Sequence, residues 1–294
     1  MIPIKPLFRL LRPHQWLKNS FVFVGLLFGH AWADLARLEQ VGWAFAAFSL
    51  LASGVYVMND LMDREQDRLH PTKRHRPLAS GAVKLPMALM LMVSCFVAGF
   101  ALVAYSDNRA PWVFYAYVAL NIGYTLGLKH VVVLDVFIIA AGFMLRLLAG
   151  TLGIGIAPSF WLLLCGLMLT LFLGFAKRQA ESMVLDEGDA AAHRRVLEDY
   201  TSNMLDQFMT IASAATIISY SLYTVSPETV ALHGSTQLIY TVPLVIYGMF
   251  RYLFLMHRRG GGGDPARQLL TDPHLLAAVA GWLLLVLAIL KGWL

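Results

Sequence analysis

Long apolar stretches follow one another along almost the whole chain, and they constrain the fold more than any other feature. About 20 mostly apolar residues are enough to cross the hydrocarbon of a bilayer. The sequence holds nine such stretches, at about 19–34, 41–58, 86–105, 111–128, 131–150, 159–177, 207–225, 237–256 and 274–290. Inside lipid, a helix satisfies every backbone N–H and C=O within its own segment, so each stretch is read as a spanning helix. The expected fold class is therefore all-α integral membrane: a bundle of nine transmembrane helices forming one polytopic domain over residues 1–294. Composition agrees, since 14% of the residues are charged, against about 25% in soluble domains.

The connections between stretches carry the orientation. Lys5, Arg9, Arg12, Lys18, Arg64, Arg68, Lys73, Arg74, Arg76 and Lys84 lie on one side. Lys129, Lys177, Arg178, Arg194, Arg195, Arg251, Arg258, Arg259 and Arg267 join them there, and only Arg37, Arg109 and Lys291 lie on the other. Lys and Arg accumulate on the cytoplasmic side, so the N-terminus is expected in the cytoplasm of a cell (inner) membrane protein. The net charge of +5 reflects this sorting and gives no reason to expect nucleic acid as a partner. The long cytoplasmic connections are about 61–85, 178–206 and 257–273, and long loops in a compact fold are usually functional. Within them, 193–200 is expected to form a short surface helix, and Gly260 to Gly263 a flexible linker, since no Lys-Ser/Thr follows as in a P-loop.

Two other features take structural readings. Cys95 and Cys165 lie in apolar segments without C-x-x-C spacing, as small packing residues do. Lys18 followed by an apolar run and Ala31-Trp32-Ala33 has the outline of a secretory signal with its cleavage site. The many later stretches favour retention of this segment.

Chemistry concentrates in Asn59-Asp60-Leu61-Met62-Asp63-Arg64-Glu65-Gln66-Asp67, directly after the second stretch. At 100° per residue, Asn59, Asp63, Asp67 and Asp60 fall at about 0°, 40°, 80° and 100° on a helix, and Glu65 at about 240°, off that face. Three carboxylates and an amide on one stripe repel unless something positive lies among them. A hard cation such as Mg²⁺ takes oxygen ligands and keeps part of its shell for substrate phosphates. The stripe thus reads as a Mg²⁺–diphosphate site, with Asn59, Asp60, Asp63 and Asp67 as metal ligands and the three aspartates as its catalytic core. Lys73, Arg74 and Arg76 follow closely, and guanidinium forks and ammonium groups suit phosphate.

Two further clusters are candidates. Lys177, Arg178, Gln179 and Glu181 open the connection after the sixth stretch, as snorkelling anchors or as part of a phosphate pocket. Asn121, Tyr124, Lys129, His130 and Asp135 mark the turn from the fourth stretch to the fifth. Asp135 lies inside apolar sequence, where an ionised group costs roughly 2.5–3.5 kcal/mol at mid-helix and less near an end, so it is expected to face a partner or a cavity. Arg146 shares its helix face about 16 Å further on, too far to pair with it directly, and is expected to snorkel outward.

With these motifs in view, the chain resembles the UbiA superfamily of intramembrane prenyltransferases over nearly its whole length. The resemblance rests on N-D-x-x-D-x-x-x-D after the second stretch, on Arg12-Pro13-His14-Gln15-Trp16-Leu17-Lys18-Asn19, and on Tyr124-Thr125-Leu126-Gly127-Leu128-Lys129. It implies nine helices around a central cavity open to lipid, with Mg²⁺ and diphosphate at the first acidic motif. Most members carry a second aspartate-rich motif after the sixth span. Here that place reads Phe175-Ala176-Lys177-Arg178-Gln179-Ala180-Glu181, which is similar to the decaprenyl-phosphate phosphoribosyltransferase branch. That branch implies phosphoribosyl pyrophosphate as donor and a polyprenyl phosphate as acceptor, with Lys18, Lys73, Arg74, Arg76, Tyr124, Lys129, Asp135, Lys177, Arg178 and Glu181 as candidate substrate contacts. Transfer of an isoprenoid to an aromatic acceptor is the nearest alternative, and a non-catalytic lipid-binding or transport protein is the alternative of another class. Any helix face is available to a homo-oligomer.

Overall fold

The computed structural model describes residues 4–186, 199–258 and 271–293. The expected surface helix at 193–200 falls almost wholly outside them, and so do Gly260 to Gly263, Arg259 and Arg267. Among the described residues every regular element is helical. In chain order these are α1 (Ile4–Leu11), a 3₁₀ segment (Pro13–Phe23), α2 (Val24–Phe28), α3 (Leu35–Met62), α4 (Arg64–Leu69) and a 3₁₀ turn (Lys73–His75). Then come α5 (Leu85–Tyr105), α6 (Trp112–Leu126), a 3₁₀ turn (Leu128–His130), α7 (Leu134–Ala149) and a 3₁₀ turn (Leu152–Ile154). α8 (Phe160–Asp186), α9 (Ser202–Val225), α10 (Pro227–His233), a 3₁₀ segment (Gln237–Thr241), α11 (Val242–Arg258) and α12 (Pro273–Leu290) complete the chain.

Seven helical segments among the described residues are long and apolar enough to cross a membrane. The two remaining stretches take other forms. The first becomes the 3₁₀ segment and α2, and the fourth is α6, a helix of 15 residues. Leu89, Met90, Val93 and Val97 of α5 are exposed. A helix with so much outward apolar surface belongs against lipid, and the protein is a multi-pass membrane protein.

The chain forms two compact units, Met1–Pro158 and Ser159–Leu294. In the first, α3 packs along α5, and α6 along α7, while the 3₁₀ segment lies on both α3 and α7. Phe48, Phe114 and Tyr117 are the aromatic centre of its core. The 3₁₀ segment approaches α7 backbone to backbone. A Cβ on Gly150 would lie 1.7 Å from the Val22 carbonyl oxygen, and one on Gly25 would lie 1.8 Å from that of Gly150. A smaller apolar cluster of Leu10, Val57, Leu78, Val83 and Ala88 anchors the loop after α4. In the second unit α8 packs on α9, and α11 on α12. There Tyr220 receives a hydrogen bond from Trp282 Nε1 and shares one with Thr241.

Candidate functional site

The acidic stripe spans a joint between two helices. α3 ends at Met62, α4 begins at Arg64, and Asp63 lies between them with φ −88° and ψ 3°. The helical hydrogen bonds nevertheless run through it, from Asp63 N to Asn59 O at 2.9 Å and from Asp67 N to Asp63 O at 2.8 Å. Asn59, Asp63 and Asp67 therefore stack at i, i+4 spacing as expected. Asp60 and Asp67 are buried, whereas Glu65 is exposed and pairs with Arg68, in keeping with its place off the stripe.

Cations divide the stripe in two. Arg12 Nη2 lies 2.5 Å from Asp60 Oδ1, and Arg76 Nη1 lies 3.1 Å from that same oxygen and 2.7 Å from Asp67 Oδ2. On the other edge Lys129 Nζ lies 2.7 Å from Asp63 Oδ1, and the Thr125 hydroxyl donates to Asn59 Oδ1. This is the division the helical angles imply: Asn59 and Asp63 share one edge of the arc, Asp67 and Asp60 the other.

Each cation is delivered by a local device. Arg12 adopts the left-handed region (φ 52°, ψ 57°), which is uncommon for a residue with a side chain. Its guanidinium lies over the Tyr56 ring at 5.0 Å. The 3₁₀ segment behind it is pinned by a ladder of polar contacts. Trp16 Nε1 donates to Ser53 Oγ, Asn19 Nδ2 donates to Ser49 Oγ, and Arg146 Nε donates to Asn19 Oδ1 at 2.7 Å. Arg76 is held by a turn in which Ser80 N donates to Arg76 O, with Leu78 and Val83 buried beneath. Lys129 follows α6 on a 3₁₀ turn, and Val133 just beyond takes φ 69°. A β-branched residue there stores about 1–3 kcal/mol of strain; the turn aims Lys129 at Asp63 and leads into α7 with Asp135 buried in its first turn, where the helix dipole favours a negative group.

Of the other residues singled out from sequence, Lys73 is half-buried and Arg74 exposed on the loop, Lys18 is exposed on the 3₁₀ segment, and Tyr124 is half-buried near the end of α6. Lys177, Arg178 and Glu181 do not open a loop: α8 continues to Asp186 and carries them on helix. Arg178 is buried and bonded to Glu181, Lys177 is exposed with its Nζ 3.9 Å from Glu181, and buried Gln179 donates to Asp206 at 3.4 Å. Arg146 does not snorkel. It is buried, its Nη1 and Nη2 donate to Gly142 O and Tyr117 Oη, and its guanidinium lies near the rings of Phe48, Tyr117 and Phe143. Hydrogen bonds and aromatic faces within reach hold it more cheaply than a long path to water would. Arg12 and Thr125 are the contacts that sequence reasoning missed. Arg12 stood in a quoted motif but counted only toward orientation, while nothing in the sequence ties Thr125 to Asn59.

The stripe's donors are one amide and three carboxylate oxygens, which suit a hard divalent cation. Among the described residues no three acidic, histidine or cysteine side chains converge into a cage.

Residues 20–271 match the UbiA prenyltransferase family. A decaprenyl-phosphate phosphoribosyltransferase of Corynebacterium glutamicum is 36% identical over 278 residues, covering 92% of this chain and 82% of that one. The enzyme of the same name from Mycolicibacterium smegmatis is 33% identical over 291 residues, 95% of this chain and 91% of its own. Among solved structures, a UbiA homolog from Archaeoglobus fulgidus bound to DMAPP and Mg²⁺ matches with a TM-score of 0.73 at 19% identity, covering 97% of this chain and 99% of that chain. At that identity the likeness concerns the fold alone. Family match, near-full-length relatives and fold agree: the chain belongs to the UbiA prenyltransferase family.

Proposed function

We propose that this protein transfers the 5-phosphoribosyl group of phosphoribosyl pyrophosphate to a polyprenyl phosphate of decaprenyl type, releasing diphosphate. The observation that carries this reading is 33–36% identity, over more than nine-tenths of the chain, to enzymes named decaprenyl-phosphate phosphoribosyltransferase. The cations of the site support it. Donor and acceptor together bring a diphosphate and two phosphate monoesters, and Arg12, Arg76 and Lys129 surround the stripe.

Asn59, Asp60, Asp63 and Asp67 would hold Mg²⁺, which neutralises charge on the diphosphate when bound. Arg76 and Lys129 hold phosphate oxygens with the N–H donors that their carboxylates leave over. Lys18, Lys73, Arg74, Lys177 and Arg178 are further candidate phosphate contacts, and Tyr124, Asp135 and Glu181 orient ribose hydroxyls or basic side chains. The bond between the ribose anomeric carbon and the diphosphate breaks, and a lipid phosphate oxygen forms the new bond from the opposite face. A phosphate monoester has its second pKa near 6, so the nucleophile needs no strong base at neutral pH. The isoprenoid tail stays in the bilayer. The distribution of Lys and Arg supports a stripe on the cytoplasmic face of the cell membrane, within reach of a water-soluble donor.

The test is a reconstitution in detergent with Mg²⁺, phosphoribosyl pyrophosphate and a polyprenyl phosphate. Diphosphate release should require all three, and Asp63→Asn should lower it by about 10²-fold or more, the usual effect of losing a group aimed at developing charge. Isoprenoid transfer from a prenyl diphosphate to an aromatic acceptor, with no phosphoribosyl transfer, would instead establish the alternative reading.

A further inference from the structure

Beside the acidic stripe, within the first unit, lies a cavity of about 240 Å³. Arg9, Arg12, His14, His75 and Arg76 line it, and the buried carboxylate of Asp60 is also part of its lining. We propose that this cavity binds a phosphate monoester, in addition to the diphosphate at the stripe. The inference rests on the function proposed above and identifies a second anionic subsite.

Charge is the first argument. Arg12 and Arg76 both bond Asp60 through a single oxygen, Oδ1, so two like charges lie a few ångströms apart with half a carboxylate each. Arg76 also serves Asp67. Arg9, at the end of α1, has no carboxylate partner among the described residues. Three guanidiniums thus face two carboxylates, and the surplus is turned toward the cavity. An anion that accepts from several donors at once relieves it.

Pre-organisation is the second. Asp60 is buried and Arg12 is fixed by a left-handed backbone, a tyrosine face and the polar ladder behind it. Arg76 is fixed by the turn over Leu78 and Val83. Both guanidiniums are therefore aimed before any ligand arrives, and their planar forks match tetrahedral oxyanions. Size is the third. The volume falls below the roughly 300–1,000 Å³ of sites that enclose whole drug-sized ligands. It suits a phosphorylated headgroup rather than a whole isoprenoid lipid.

Two substrates of the proposed reaction carry such a group, the donor at its 5-position and the lipid at its head. Full-length protein in detergent, wild type and Arg9→Ala, separates them. Arg9 touches neither Asp60 nor Asp67, so its loss leaves the stripe intact, and the double variant Arg9→Ala/His75→Ala extends the test. Removing one charged donor should raise the relevant KM about 10-fold, with kcat within about twofold. A rise in KM for phosphoribosyl pyrophosphate, with weaker competition by ribose 5-phosphate, assigns the cavity to the donor. A rise confined to the polyprenyl phosphate assigns it to the lipid. Unchanged KM values for both substrates in both variants overturn the proposal. Should the wild type show no transfer, calorimetry with ribose 5-phosphate and with a short polyprenyl monophosphate still decides. Binding that weakens in the Arg9→Ala protein supports the cavity, and no binding of either to wild type overturns it.

Discussion

Arg76 makes the strongest energetic claim in the site, because it joins two buried carboxylates. The side chains of Asp60 and Asp67 are 3% and 5% exposed, and that of Arg76 is 30% exposed. In an Arg76→Met protein, Asp60 keeps Arg12 at 2.5 Å, but Asp67 loses the one ionic partner it has among the described residues. Removing one member of a fully buried pair costs about 3–5 kcal/mol. Water reaches this pair from the arginine side, so the figure for a hydrogen bond to a charged group, about 1.5–3 kcal/mol, is the better guide. Asp67→Asn removes the charge and retains most of the volume. If the contact is energetic as well as geometric, the double variant should be less destabilised than the sum of the singles by about 1–2 kcal/mol. Denaturant unfolding in mild detergent, followed by tryptophan fluorescence, measures all four proteins. Additivity to within about 0.5 kcal/mol would refute the idea that Arg76 holds the stripe together through Asp67.

Two further outcomes follow from the geometry. Gly150→Ala should destabilise the protein by about 1–3 kcal/mol or more, as overpacking does. Its Cβ would meet the Val22 carbonyl oxygen at 1.7 Å, so thermal unfolding should shift well below that of an exposed control such as Gly81→Asn. Asp272 caps α12 by accepting from Leu275 N and pairs with Arg251, which holds its carboxyl down at about 2 against the usual 3.8. A depressed folded value means that the unfolded chain binds more protons between these limits, so stability is full above about pH 4 and falls as pH drops toward 2. An Asp272→Asn protein should lose that part of the acid sensitivity in pH-dependent unfolding.

What the sequence disclosed was whatever depends on composition and period. Long apolar runs require helices in lipid, and the helical angles of Asn59, Asp60, Asp63 and Asp67 foretold the shared face, with Glu65 off it. Long-range pairing was not disclosed. Thr125 meets Asn59 and Lys129 meets Asp63 across 66 residues, and Arg12 meets Asp60 across 48; no local pattern encodes such separations. Hydropathy also left open the form of the first stretch, since apolarity alone does not distinguish an α-helix from the 3₁₀ segment that Pro13 begins and whose Val22 closely approaches Gly150. Arg146 misled for a similar reason. A charge in an apolar helix suggests a route to water until Asn19 and Tyr117 are seen beside it.

The division of the stripe bears on how one reaction handles several anions. Asn59 and Asp63 face Thr125 and Lys129, while Asp60 and Asp67 face Arg12 and Arg76. A single helix face thus presents two sets of carboxylates, each already matched to its own cations. Asp60 and Asp67 need that arrangement simply to be buried, because desolvated carboxylates without partners are costly. The same arrangement keeps guanidinium and ammonium donors within a few ångströms of the stripe's carboxylates, with most of their orientational cost already met in folding. Asp60 is common to both uses, as a member of the stripe and in the lining of the neighbouring cavity. With both proposed subsites filled, Asp60 would hold the diphosphate and the phosphate monoester in fixed register, which a transfer between two phosphorylated substrates requires.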